Sequence, residues 1–175
     1  DYIDPSYHTF ITGRHSRNLD SYMLDDEKIK YVFNDASKDA DISVVEGVMG
    51  LYDGIGIDLD NCTSSNTSKL LKAPVILVIN GKAMAASSAA MVLGYKELDK
   101  NVDIKGVIVN NVKTKSHYEI IKKAIETYCN IEVLGYFPPN NEFSLESRHL
   151  GLVPSVEIES LKTKFSNLAD EIEKY

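Results

Sequence analysis

The run PVILVIN, residues 74–80, constrains the fold more than any other stretch of this chain. Its interior is apolar at every position. Alternation would mark a strand with one wet face, whereas a continuous run marks a strand buried on both faces, as in parallel sheets. KGVIVN at 105–110 repeats the pattern, IEVLGY at 131–136 follows it apart from Glu132, and ISVV at 42–45 is a shorter version. Each run stops on a polar or aromatic residue.

Helix-length segments separate these runs. From Asp25 onward, Ile29, Val32, Phe33 and Ala36 fall at i, i+3, i+4 and i+7, one face of a helix with acids at its N-terminal end. TSSNTSKLLK, residues 63–72, predicts a short helix capped by Thr63 or Ser64. Residues 83–98 have helix length and many small side chains, which lets a helix lie close to a sheet. SHYE has the capping-box spacing from Ser116 to Glu119, and Ile120, Ile121, Ala124, Ile125 and Tyr128 follow on one side. At the C-terminal end Ile158, Leu161, Phe165, Leu168 and Ile172 form an amphipathic helix. Residues 1–24 show no steady period and read as an ordered surface loop.

Strand then helix, four times over, predicts an α/β fold: a parallel sheet with helices on both faces. At 175 residues the chain fits within one domain, taken here as 1–175. The net charge of −7 gives a nucleic-acid partner no support, and no apolar run approaches a membrane span. Cys62 and Cys129 are far apart and form no metal spacing, so they read as free thiols of a cytoplasmic protein.

Parallel strands point one way, so the residues just past them share an edge, and ligands bind at that edge in open α/β sheets. Those residues are Glu46, Asn80, Asn110 with Asn111, and Tyr136. Glu46 is followed by Gly47, Gly50 and Gly54, so the backbone bends away while the carboxylate stays available to a metal-bound phosphate. Asp1 and Asp4, in DYIDP, are further oxygen donors of that kind. Strand ends and turns use the same residue types for no chemical purpose, and Asp before Pro favours a turn by itself. The P-loop pattern GxxxxGK[ST] is absent, so a phosphate cradle of that type is not in this chain. His8 and His15 have no third ligand nearby for zinc.

DYIDPSYHTFITGRHSRNLD, VVEGVMGLYDG, KLLKAPVILVI, SSAAMVLGY, KGVIVNNV and SRHLGLVP occur in that order over nearly the whole chain. Together they resemble the synthetase domain of the cobyrinic acid a,c-diamide synthases. The resemblance implies a P-loop NTPase-like fold akin to dethiobiotin synthetase, here lacking the P-loop segment. It also implies a carbon–nitrogen ligase of cobalamin biosynthesis. In that family ATP and Mg²⁺ activate the c and then the a carboxylate of the corrin as an acyl phosphate, and ammonia from glutamine displaces the phosphate.

The same resemblance assigns roles. Glu46 and Asp1 become metal ligands, with Asp1, Asp4 and Asp53 beside the reacting groups. Asn110 contacts the adenine, and Arg14, Arg17, Arg148, His149, Tyr2 and His8 line the corrin site. Arginine suits that task because it pairs with carboxylates through parallel hydrogen bonds. Neither cysteine lies in a nucleophile-elbow context, so the glutaminase that supplies ammonia is expected outside these residues. The expected picture is therefore a fragment of a larger enzyme, inactive alone, whose exposed sheet edge invites a homodimer. Two other readings stay open: the same chemistry on hydrogenobyrinic acid or a nickel sirohydrochlorin, and a non-catalytic binding relative of the P-loop partition ATPases.

Overall fold

β1 (Val75–Asn80), β2 (Ile104–Asn110) and β3 (Glu132–Phe137) form a parallel sheet in that order, close to the three long apolar runs. The computed structural model describes residues 3–140, 142, 147–148, 151–152 and 161–175. They fall into two compact units, 1–51 with 140–174 and 52–139 with Tyr175.

In the second unit, α3 (Ser64–Leu71) precedes β1, α4 (Ser87–Leu98) joins β1 to β2, and α5 (Lys115–Cys129) joins β2 to β3. α4 and α5 cover the face that carries Leu77, Ile79, Val107, Val109 and Val133, all buried. Small residues bring α4 and α5 together: Cys129 Sγ lies 3.2 Å from the Ala89 carbonyl. A Cβ on Gly81 would sit 2.5 Å from Val109 and 2.6 Å from Val112. Val92, Ile121 and Ile125 are fully buried, each contributing about 1.5–3 kcal/mol of burial free energy. This is the predicted α/β class. The opposite face is apolar too, yet Ile76, Val78 and Leu134 are 43%, 62% and 49% exposed, so two-sided burial is met on one face only.

Helix ends follow local chemistry. Thr63 caps α3, its hydroxyl accepting from the Asn66 N–H. α5 starts two residues earlier than the SHYE pattern predicts, because Thr114 is its cap and accepts from the His117 N–H. Ser116 is thus already inside the helix. Thr114→Ala should therefore lower stability by about 1 kcal/mol while Ser116→Ala leaves it nearly unchanged, a contrast that urea titration of the two variants measures. Asn130 ends α5 in the left-handed region, and Lys96 donates to the Cys129 carbonyl at 2.7 Å.

In the first unit, α1 (Ile3–Thr12) replaces the surface loop predicted for residues 1–24. Tyr7, Phe10 and Ile11 are spaced i, i+3, i+4, and Tyr7 is buried with its ring edge-on to Phe165 of α6 (Leu161–Ile172). Pro5 is tolerated because first-turn N–H groups have no helical partner to lose. Gly13, at φ +67°, ends the helix with its N–H bonded to the Thr9 carbonyl. α2 (Asp26–Ser37) is capped by Asp25, one of the acids expected at its N-terminal end, and buries Ile29. β4 (Ser147–Arg148) and β5 (Gly151–Leu152) pair antiparallel.

The fourth predicted strand, ISVV, is not a strand. Among the described residues no backbone hydrogen bond joins it to a neighbouring strand, and a strand exists only through its ladder. Ile42 and Val44 are accordingly 81% and 88% exposed.

Candidate functional site

α1 and the segment after ISVV bring two predicted site residues together. His8 lies one turn after Asp4 on α1, and its Nε2 is 2.8 Å from Glu46 Oε2. Both side chains are about half-exposed, so the Glu46 carboxylate is oriented by one partner and remains open to solvent. Burial raises the pKa of Tyr7, the residue before His8, and the nearby Asp4 charge adds to that shift.

Among the described residues no group of three His, Cys, Asp or Glu gathers as a metal cage. Glu46 is a hard oxygen donor, and Mg²⁺ is held by one or two carboxylates with phosphate oxygens and water filling the other positions. The donor set fits that ion bound together with phosphates. It does not fit zinc, which wants nitrogen and sulfur donors in a closed set.

Arg14 donates from Nη1 to the Asp39 carbonyl at 3.1 Å. Arg17 donates to the His15 and Ser16 carbonyls at 3.2 and 3.4 Å. Neither forms an ion pair with a carboxylate among the described residues. Both guanidinium groups are thus placed by backbone oxygens. Asp1, Tyr2 and His149 lie outside the described residues, as does the side chain of Arg148.

In the second unit the carboxyl edge of the sheet gathers amides, as parallel strands require. Asn80 and Asn110 are register partners, and Asn110 is level with Phe137 on β3. Asn111 donates from Nδ2 to Asn80 Oδ1 at 3.2 Å, and its own N–H bonds to Asn110 Oδ1 at 2.8 Å. Asn111 holds φ +63°, a conformation that Asn tolerates better than most residues. Asn80 Oδ1 also accepts from the Lys82 N–H, and Gly81 N–H bonds to the Asn110 carbonyl. His117 donates from Nε2 to the Met84 carbonyl at 2.6 Å, which pins the loop following β1.

Asp53 is exposed at the start of a tight loop. Ile55 N–H bonds to the Asn61 carbonyl at 2.9 Å, and Asn61 Nδ2 returns a bond to the Ile55 carbonyl. Thr63 and Ser65, both buried, hold the Leu59 carbonyl at 2.6 and 2.8 Å. Lys69 bridges Asp60 of this loop and Asp99 at the end of α4. That bridge is the feature sequence reasoning missed, since its partners lie 9 and 30 residues away. No local pattern carries it.

Cys62 and Cys129 are free, and burial raises the Cys129 thiol pKa, which makes it unreactive. No helix among the described residues is long and apolar enough to cross a membrane.

The family model described as an AAA domain matches residues 7–147. Among curated proteins, the cobyrinate a,c-diamide synthases of Streptococcus sanguinis and Listeria monocytogenes are each 49% identical over 176 residues. Each alignment covers 100% of this chain and 39% of the relative. The synthase of the same name from Methanocaldococcus jannaschii is 45% identical over 177 residues, covering 100% of the chain and 40% of the relative. The chain thus spans about two fifths of the length of these relatives. No solved structure matches it.

Proposed function

The chain belongs to the AAA domain family, and on that footing we propose that it is the nucleotide-using part of an ATP- and glutamine-dependent cobyrinate a,c-diamide synthase. Identity of 45–49% along the entire chain to proteins of that name, bacterial and archaeal, carries the reading. On this view the complete enzyme has the length of those relatives, and ammonia reaches the corrin from a glutaminase domain beyond these residues.

Bound ATP with Mg²⁺ supplies the phosphoryl group that turns a corrin carboxylate into an acyl phosphate. The chain's own side chains do the rest. Glu46, turned by His8, would hold the metal, with Asp1 and Asp4 as further oxygen donors. Asn110 presents its carboxamide to the adenine edge from the end of β2. Arg14 and Arg17, which pair with no carboxylate among the described residues, offer their guanidinium groups to the peripheral carboxylates of the ring, and Arg148, His149, Tyr2 and His8 join them. Because the chain carries a net charge of −7, local positive groups are what an anionic substrate needs. Asp53 orients the attacking ammonia and accepts a proton from it, help typically worth ~10²- to 10⁴-fold.

Incubating the full-length enzyme with cobyrinic acid, ATP, Mg²⁺ and glutamine tests the proposal, with mass spectrometry reading acid-to-amide exchange at both carboxylates. Amidation of hydrogenobyrinic acid or nickel sirohydrochlorin instead would redirect the substrate, and no ATP-dependent amidation of any of them would overturn the reading. Arg14→Ala combined with Arg17→Ala should raise KM for the corrin roughly 10-fold, the equivalent of one charged hydrogen bond. The KM for ATP should stay near its original value. An unchanged corrin KM would remove both residues from the docking role.

A further inference from the structure

Two anchors fasten the loop that starts at Asp53, and both end on α4. At the near end, Tyr52 stacks on Tyr95 with ring centroids 5.9 Å apart and donates its hydroxyl hydrogen to the Tyr95 carbonyl at 2.6 Å. At the far end, Asp60 pairs with Lys69, and Lys69 pairs in turn with Asp99. Tyr95 and Asp99 are one helical turn apart, so the loop is tied down at both ends of a single turn. Between the anchors, the reciprocal Ile55–Asn61 bonds transmit the position of Asp60 back toward Gly54 and Asp53.

Lys69 suits this place because an ammonium carries three donors on a compact head and can serve carboxylates from two different elements at once. Its side chain and that of Asp99 are mostly buried, whereas Asp60 is largely exposed. The Asp99 carboxyl is held below the usual carboxylate range by its hydrogen bond to Lys69 and, after that, by the Asn101 N–H. The pair is therefore ionised at neutral pH.

We infer that Lys69 is a positioning residue: by joining Asp60 to Asp99 it holds the Asp53 loop in one conformation against α4, and so sets where the Asp53 carboxylate stands. This rests on the reading of Asp53 as a residue of the amidation site. The alternative is that Lys69 only stabilises the fold. The two differ in what must change when the ammonium is removed.

Hydrogen exchange and steady-state kinetics on the full-length enzyme distinguish them, using Lys69→Met, Lys69→Arg, and Lys69→Met combined with Asp99→Asn. The double variant spares Asp99 from being left buried and unpaired. In both methionine variants the Ile55 amide should exchange at least about tenfold faster while β2 amides keep their protection. Amidation kcat should fall about 10- to 10²-fold with KM for ATP and glutamine hydrolysis unchanged, and Lys69→Arg should recover most of the loss.

Unchanged exchange at Ile55 would overturn the inference, as would faster exchange in β2 to the same degree, which marks a global stabiliser. A loosened loop with normal kcat would also overturn it. In that last case Asp53→Asn says which premise failed: if that variant is inactive, Lys69 does not position Asp53, and if it is active, Asp53 itself is not in the site.

Discussion

In the full-length enzyme, Glu46→Gln is expected to lower ATP-dependent amidation by roughly 10²-fold or more while leaving the melting temperature where it was. The two halves of this expectation come from different facts. Loss of an outer partner of a metal ligand already lowers metal affinity or activity about 10- to 100-fold, so loss of the ligand's charge should do at least as much. The stability half follows from exposure. The His8–Glu46 pair is about half-exposed on both sides, and such pairs contribute about 0–1 kcal/mol. Gln keeps the volume and an oxygen that can still accept from His8 Nε2. On the proposed reading glutamine hydrolysis should remain measurable, because the glutaminase is placed outside these residues. The half-saturating Mg²⁺ concentration should rise, which an activity titration reads directly. Normal amidation by Glu46→Gln would take this carboxylate out of the phosphate site and leave the His8 contact as an ordinary surface pair.

Glu46 also shows where sequence reasoning reaches its limit. Its proximity to glycine and to an apolar run was visible, and so was its chemical suitability for a metal bound with phosphates. Its partner was not, because His8 lies 38 positions earlier and on a helix that the sequence pattern concealed. That helix was concealed by composition: Pro5 and the polar residues around it resemble a turn, although Tyr7, Phe10 and Ile11 keep helical spacing. The three long strands were legible because each is a continuous apolar run, and burial of one whole face leaves only one way to use such a run. ISVV has the same chemistry in four residues but no ladder partner among the described residues, and a strand cannot be read from one side of a pair. Asn80 and Asn110 were legible as neighbours because parallel direction alone aligns strand ends. The cap of α5 was misread by two residues because Thr114 and Ser116 are both good caps, and only the turn geometry selects between them.

Gly54→Ala should be the more damaging of two superficially similar substitutions in the Asp53 loop. A Cβ at Gly54 would lie 2.1 Å from the Asn61 carbonyl oxygen, 2.8 Å from Thr63 Cγ2 and 3.0 Å from the Cys62 carbonyl carbon. Two of these are backbone atoms, so no side-chain rotation relieves the clash. The loop must open, which breaks the 2.9 Å bond from the Ile55 N–H to the Asn61 carbonyl. It also presses on Thr63, whose hydroxyl caps α3 and holds Leu59. Overpacking of this sort costs about 1–3 kcal/mol. Because Asp53 is the adjacent residue, amidation should fall on the order of 10²-fold, as misplacement by about an ångström does. At Gly56 nothing lies within 4 Å of the added atom, and the difficulty is conformational, since φ is +76°. There Ala costs roughly 1–2 kcal/mol of backbone strain and leaves Asp53 in place. The expected pattern is thus similar losses of stability and very different losses of turnover. Equal turnover in the two variants would mean that the close approach of Gly54 to Asn61 does not set the position of Asp53, and the loop's tight base would then serve folding alone.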